Sequence, residues 1–384
     1  MDYSKNIKLS PTFCAAPWTS LNINQLGLVM PCMHSGYLLG NIKHKSIDDI
    51  LQDSPIQSMK QAQIQGQWHE ACKECEMREC YGSSPRQQWH VDQDIVDCIQ
   101  NDIDNFFVCE HLTVNWSNLC NLACTYCNAE TSTAWQAIKK IPINHVKNEH
   151  DSLIQLVARS RHRLKGLSLG GGEPLLQKGL PRLLEQVDPG SVSAMITTNL
   201  SVSLADNAVY QILKNWPHVI WMISFDTVKA DQFEYVRHGA SWAQFVDNIE
   251  TMKQDKQTII AHPAYSVYCA LDLEPLYEFC FDKQLQIFWC DLSHPYALDI
   301  RRQNPMLRQL AIEQIDAVTA KWTDKMVGSF DTLARYRQQL IDPSYLPMAF
   351  NNEDNLQKFC RETEKQLAKS TTFGQSWPHI YNLL

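Results

Sequence analysis

The stretch Leu112-Thr-Val-Asn-Trp116-Ser-Asn-Leu-Cys120-Asn-Leu-Ala-Cys124-Thr-Tyr-Cys127 joins an apolar, strand-like run to three cysteines spaced C-x3-C-x2-C. Random placement of the 14 cysteines among 384 residues gives such a triplet only about 0.02 times per chain. Three thiolates hold three corners of a four-iron centre and leave the fourth iron without a protein ligand, a vacancy at which a small molecule can bind.

Reading outward from this stretch, apolar runs with strand character recur at residues 112–116, 166–169, 194–198, 219–225, 259–268 and 285–292, with helical periodicity between them at 151–163, 180–187, 206–216, 231–237 and 242–252. Alternation of this kind predicts an α/β fold whose parallel strands curl into a partial barrel of six strand-helix units. In such barrels the chemistry gathers at the C-terminal ends of the strands, and Cys120 begins just past the first one. Residues 21–30 read as a strand-turn-strand and 46–63 as a helix in a smaller N-terminal segment. Residues 307–322 and 330–340 read as helices after the last strand.

Composition bounds the function. A chain that is 44% apolar and 20% charged supplies a sizeable core. A net charge of −8 disfavours a phosphate backbone as the main partner, so nucleic acid is the weaker expectation. The polar residues after Met1 and the absence of an 18-residue apolar run predict a soluble, cytoplasmic chain with no membrane segment. Fourteen cysteines in that setting point to metal ligation and buried thiols rather than disulfides.

The string Cys120 to Cys127, with Tyr126 before its last cysteine, resembles the cluster loop of the radical S-adenosylmethionine (SAM) enzymes. Gly170-Gly171-Gly172-Glu173-Pro174, 46 residues from Cys127 to Glu173 and at the next strand end, is similar to that family's GGE element. The resemblance implies a [4Fe-4S] cluster on Cys120, Cys124 and Cys127, and SAM held by Tyr126, Gly171, Gly172 and Glu173. Glycine lets the backbone approach closely, and a carboxylate suits an ammonium. It extends to Thr198 and Asn199 after the third strand, Ser224 after the fourth, and Arg237, read either as a partner for the cofactor carboxylate or as a helix-end cation. The fifth strand end, at Ala270 and Leu271, lacks a polar element for adenine.

Ahead of the barrel, Cys14, Cys32, Cys72 and Cys75 follow the pattern C-x17-C, a gap of 39 and C-x2-C, with Gly27 at the hairpin turn. The pattern resembles the twitch module, related to SPASM domains, and implies a second, auxiliary [4Fe-4S] cluster. Here the module precedes the barrel, whereas family members carry it after. Cys80 is an alternate ligand, and the same donors suit structural zinc. Three domains are expected: an iron-sulfur module of α+β type over 1–98, the radical SAM partial barrel over 110–298 and a helical extension over 299–384.

The implied activity is reductive cleavage of SAM to a 5′-deoxyadenosyl radical that abstracts hydrogen from a peptide or small metabolite, with the auxiliary cluster taking an electron in a net oxidation. A low-potential donor such as flavodoxin or ferredoxin would supply the electron. The competing readings are a radical SAM epimerase, a nucleotide- or RNA-modifying enzyme and, in another class, an iron-sulfur electron carrier or zinc-stabilised binding protein. Cys269 and Cys290, near the ends of the fifth and sixth strands, are hydrogen-donor candidates, set against the reading as buried thiols that also covers Cys98, Cys109, Cys280 and Cys360. Tyr265, Tyr268, Trp289 and His294 read equally as core or substrate wall. The basic run Arg159, Arg161, His162, Arg163 and Lys165 reads as a solvated helix end.

Overall fold

In the computed structural model, residues 10–80, 84–89, 92–142, 151–292, 294–326, 330–342 and 356–383 are described. The strands are β1 (Ser20–Ile23), β2 (Leu28–Met30), β3 (Gly40–Asn41), β4 (His111–Asn115), β5 (Gly166–Gly170), β6 (Ser193–Thr198), β7 (Val219–Ile223), β8 (Thr258–Ala261), β9 (Ala264–Tyr265), β10 (Gln286–Ile287) and β11 (Cys290–Asp291). The chain forms two compact units. One comprises Met1–Leu119, His145–Ile196 and Ala208–Val219, the other Cys120–Asn144, Thr197–Asn207 and Ile220–Leu384.

In the first unit the strand order is β6-β5-β4-β1-β2-β3. β1, β4, β5 and β6 run parallel, and β1-β2-β3 is an antiparallel meander. The register explains why β1 joins the barrel strands. Leu21, Leu112, Leu167 and Ala194 form one buried row across four strands, and Ile23, Val114, Leu169 and Ile196 form the next. A one-residue slip would turn both rows to the opposite face. The N-terminal cysteine-bearing segment therefore continues the sheet of the first barrel strand, a continuity that its composition did not predict. Gly27, at φ +80°, closes the β1–β2 turn, its amide donating to the Asn24 carbonyl.

The helix expected over 46–63 is two helices, Ile47–Gln52 and Ser54–Ile64. Asp53 between them is extended, because Pro55 cannot donate to the preceding turn and its ring crowds the residues before it. Ser46 caps the first, accepting from the Asp49 amide.

In the second unit β7, β8 and β10 pair in parallel, and β9 and β11 form a separate parallel pair. The fifth and sixth predicted strands are thus each split. Pro263 interrupts the first, dividing β8 from β9, and the other follows by pairing β10 with β8 and β11 with β9. The C-terminal part is helical at Pro305–Trp322, Phe330–Ile341, Leu356–Gln366, Phe373–Ser376 and Pro378–Tyr381. Among the described residues no helix is long and apolar enough to cross a membrane.

His111 gives the first unit a pH dependence. Its ring meets Trp89 edge-on at 5.2 Å, and burial, with Lys165 adding, pushes its pKa from 6.5 down to about 4. Acidification protonates the unfolded chain first, so stability should fall by roughly 2.5 kcal/mol between pH 7 and about 4.5. Urea unfolding at the two pH values should show a correspondingly smaller loss in a His111→Gln variant.

Candidate active site

In the second unit the cysteine loop is fixed by its own backbone and by the segment after the helix Ala230–Val236. The amides of Ala123 and Thr125, on either side of Cys124, donate to the carbonyls of His238 (2.9 Å) and Val236 (2.8 Å). The Trp135 indole donates to the Cys124 carbonyl (2.9 Å), and the Thr133 hydroxyl to that of Cys120 (3.0 Å). Gly239, at φ +98°, lets the chain pass the Asn121 carbonyl, which a Cβ would meet at 3.3 Å.

The three sulfurs share one neighbourhood. Cys124 is buried, and burial pushes its thiol up; Arg237 opposes this, while Cys127 and Cys120 add to it. Cys127 Sγ lies 3.0 Å from the Thr131 hydroxyl, and the Asn199 amide nitrogen 3.7 Å from Cys120 Sγ. Three thiols that repel one another as thiolates suit a cationic iron centre, which binds the deprotonated form. Among the described residues no three His, Cys, Asp or Glu side chains close around the position of a single ion, so this fit rests on burial and mutual field.

Arg237 caps the C-terminal end of the helix Ala230–Val236 but is not solvated. It is 5% exposed and pairs with the fully buried Asp226 at 3.1 Å. Its guanidinium reaches 4.0 Å from Cys124 Sγ and lies 5.6 Å from the centre of the Tyr126 ring. Asp226 also accepts from the Tyr126 hydroxyl (2.9 Å) and the Ala264 amide (2.9 Å). Burial, with Asp226 adding against the opposing Arg237, keeps the Tyr126 phenol protonated. Arg237 Nε finds no acceptor among the described residues, a buried donor suited to an anionic ligand. Sequence reasoning passed over Asp226, although it stands two residues beyond Ser224 at the same strand end.

Thr198 and Asn199 are buried after β6. The Thr198 hydroxyl accepts from the Leu200 amide (3.0 Å), and its carbonyl accepts from the Ser224 amide (2.9 Å). Asn248 holds the same loop, donating to the carbonyls of Leu200 and Val202. Cys269 is buried with its thiol on the Ala264 carbonyl (3.3 Å), and burial pushes it up to about 12. Cys290 is partly exposed and burial pushes it up to about 11; it feels the charges of Asp226 and Arg237. Tyr265 stacks on Tyr336 at 4.3 Å as a core residue.

In the first unit the GGE loop folds back on the end of β4. The Gly172 amide donates to the Ser117 carbonyl (2.7 Å) and the Glu173 amide to that of Leu119 (2.8 Å). Gly171 adopts φ +118°, where a Cβ would meet the Ser117 oxygen at 2.5 Å. Glu173 is fully buried and one carboxylate oxygen accepts from the Leu175 amide (3.0 Å).

Cys14, Cys32, Cys72 and Cys75 are buried together in this unit. Burial and the neighbouring thiols push Cys72 up to about 11 and Cys75 up to about 12, and burial, with the neighbouring thiols adding, raises Cys14 as well. Gln63 donates to Cys72 Sγ (3.2 Å). Cys80, at the end of the helix Lys73–Cys80, is exposed where those four are buried. A cavity of about 430 Å³ is lined by His34, Tyr37, Glu70, Lys73 and Glu74 among others. Within the basic run Arg159 pairs with Asp48 and Arg163 with Asp94 at the surface, and Lys165 pairs with the buried Glu110.

Residues 114–263 match the Radical SAM superfamily, and residues 14–76 match the SPASM iron-sulfur cluster-binding domain. Among curated proteins, the GTP 3',8-cyclase of Pelotomaculum thermopropionicum is 27% identical over 143 residues, 37% of this chain and 42% of that protein. That of Listeria monocytogenes serotype 4b is 26% identical over 147 residues, 38% and 42%. The match thus spans less than half of these relatives' length. Among solved structures, SuiB of Streptococcus suis bound to S-adenosylmethionine is 13% identical with a TM-score of 0.45, over 82% of this chain and 71% of that one. The anSMEcpe structure with bound AdoMet is 15% identical with a TM-score of 0.44, over 57% and 62%.

Proposed function

We propose, from the match of residues 114–263 to the radical SAM superfamily and of residues 14–76 to the SPASM iron-sulfur cluster-binding domain, that this chain abstracts hydrogen from a peptide or small-metabolite substrate. The two matches imply a [4Fe-4S] cluster, SAM and an auxiliary iron-sulfur centre; when bound, the cluster and SAM supply the electron and the 5′-deoxyadenosyl radical that removes the hydrogen. The observation that carries the reading is the three-cysteine loop, bolted through the amides flanking Cys124 to the segment that bears Arg237.

In this reading Cys120, Cys124 and Cys127 hold the catalytic centre. The buried Arg237–Asp226–Tyr126 group fixes the loop from beneath and turns positive charge toward the Cys124 sulfur, while Gly171, Gly172 and Glu173 offer backbone and carboxylate to the methionyl part of the cofactor. Thr198, Asn199 and Ser224 line the strand ends as polar contacts for its remainder. Cys14, Cys32, Cys72 and Cys75 would hold the auxiliary centre, whose chemistry would be to accept an electron. A flavodoxin or ferredoxin is the electron donor. Cys290, partly exposed and within the field of Asp226 and Arg237, is better placed than Cys269 to return a hydrogen if the outcome is epimerisation.

The similarity to GTP 3',8-cyclases favours a second reading, a nucleotide substrate. Anaerobic reconstitution followed by dithionite and SAM should yield 5′-deoxyadenosine in the native chain and none above background in Cys124→Ala. Equal yield in the variant would refute the three-cysteine assignment. Adding deuterated GTP or deuterated candidate peptides to the same assay separates the two substrate classes by which one stimulates turnover and passes deuterium into the 5′-deoxyadenosine.

A further inference from the structure

The segment Val236–His238 is gripped from two sides. On one side its carbonyls at Val236 and His238 take the amides that flank Cys124, and Arg237 between them reaches the Cys124 sulfur. The second set of contacts comes from the C-terminal part of the chain, 129 to 144 residues further on. Lys369 Nζ donates to the Tyr235 carbonyl (2.6 Å) and lies 3.4 Å from His238 Nδ1. The Tyr235 hydroxyl donates to Glu364 (3.0 Å), and Gln232, in the same helix, donates to the Ser376 carbonyl (2.8 Å). Trp377, fully buried, packs on Tyr235 and Tyr268 with ring centres 5.3 and 5.1 Å away.

A second contact reaches the cysteine loop directly. Leu367 is buried against Ala123 and Trp135, and Trp135 is the residue whose indole holds the Cys124 carbonyl. Two residues apart, Leu367 and Lys369 therefore support both holders of Cys124, one by packing and one by hydrogen bonds. Lys369 also lies within the electrostatic reach of Cys124. Groups outside the ligand shell set ligand orientation and potential.

We propose that Lys369, in the C-terminal segment, is a positioning residue for the three-cysteine centre, fastening Tyr235 and His238 so that the Cys124 clamp keeps its shape and adding positive charge that favours the reduced state. This rests on the reading of Cys120, Cys124 and Cys127 as cluster ligands.

The test uses the full-length chain with Lys369→Met and Lys369→Arg, each reconstituted anaerobically and titrated by electron paramagnetic resonance, following the signal that changes on adding SAM. Lys369→Met should hold about tenfold less reduced centre at a fixed potential, equivalent to about 59 mV for one electron, and Lys369→Arg should return it to within about twofold. A loss of thermal stability with an unmoved potential would mark a merely structural lysine and overturn the proposal. So would loss of iron in both variants, since arginine keeps the charge and the donors. A native chain with no SAM-responsive signal would instead overturn the cluster reading, which separates the two failures.

Discussion

Alanine at Gly172 is expected to abolish SAM cleavage and to cost the fold roughly 3–5 kcal/mol. A Cβ there would stand 2.3 Å from the Leu119 oxygen, 2.6 Å from the Leu119 carbonyl carbon and 2.8 Å from the Asn118 carbonyl carbon. All three are backbone atoms, so no flexible side chain can move aside. Relief requires the 117–119 backbone to shift, which strains the hydrogen bonds from the Gly172 and Glu173 amides to Ser117 and Leu119. Leu119 is bonded to Cys120, so the displacement passes straight into the first cysteine of the loop. Gly36 is the matched control, because a Cβ there meets nothing within 4 Å; Gly36→Ala should lie within about 0.5 kcal/mol of the native chain. Urea unfolding and the 5′-deoxyadenosine assay check both. Native behaviour of Gly172→Ala would show that the close approach is dispensable.

The contrast between Gly172 and Gly36 also shows how far the sequence reaches. The glycines of 170–172 and the cysteines of 120–127 were legible because their chemistry lies in short, contiguous spacings, where residue type and interval together restrict what a backbone can do. The barrel strands were legible for a similar reason, as apolar runs between helical periods. Contacts that join distant segments were not. Nothing in a four-residue run such as Ser20–Ile23 announces that its Leu21 and Ile23 will fall into register with Leu112 and Val114. Arg237 drew notice, yet its partner Asp226 is selected by how the β7 end and the helix Ala230–Val236 pack, which local spacing does not encode. Lys369 drew none, because its meaning comes only from the Tyr235 carbonyl on which it lands. The breaks at Pro55 and Pro263 were within reach of sequence reasoning, since each proline interrupts a run that reads as one continuous element by its periodicity.

The Asp226–Arg237 pair allows stability and chemistry to be separated by mutation. Both side chains are withdrawn from water, so removing one leaves a buried charge without its partner, and breaking such a pair costs about 3–5 kcal/mol. Asp226→Leu and Arg237→Met should each lose on that order in urea unfolding. The double variant should recover most of the loss, because no charge is left stranded. It should stop short by about 2 kcal/mol, since the Tyr126 hydroxyl and the Ala264 amide still lose their acceptor. If the losses simply add, the pair is not energetically coupled. Activity should not recover with stability. The double variant lacks the guanidinium at the Cys124 sulfur, so its 5′-deoxyadenosine formation should remain at least about tenfold below the native chain even where it is folded. A folded double variant with native turnover would assign the ion pair to the architecture alone, whereas a folded and slow one assigns its positive charge to the centre it faces.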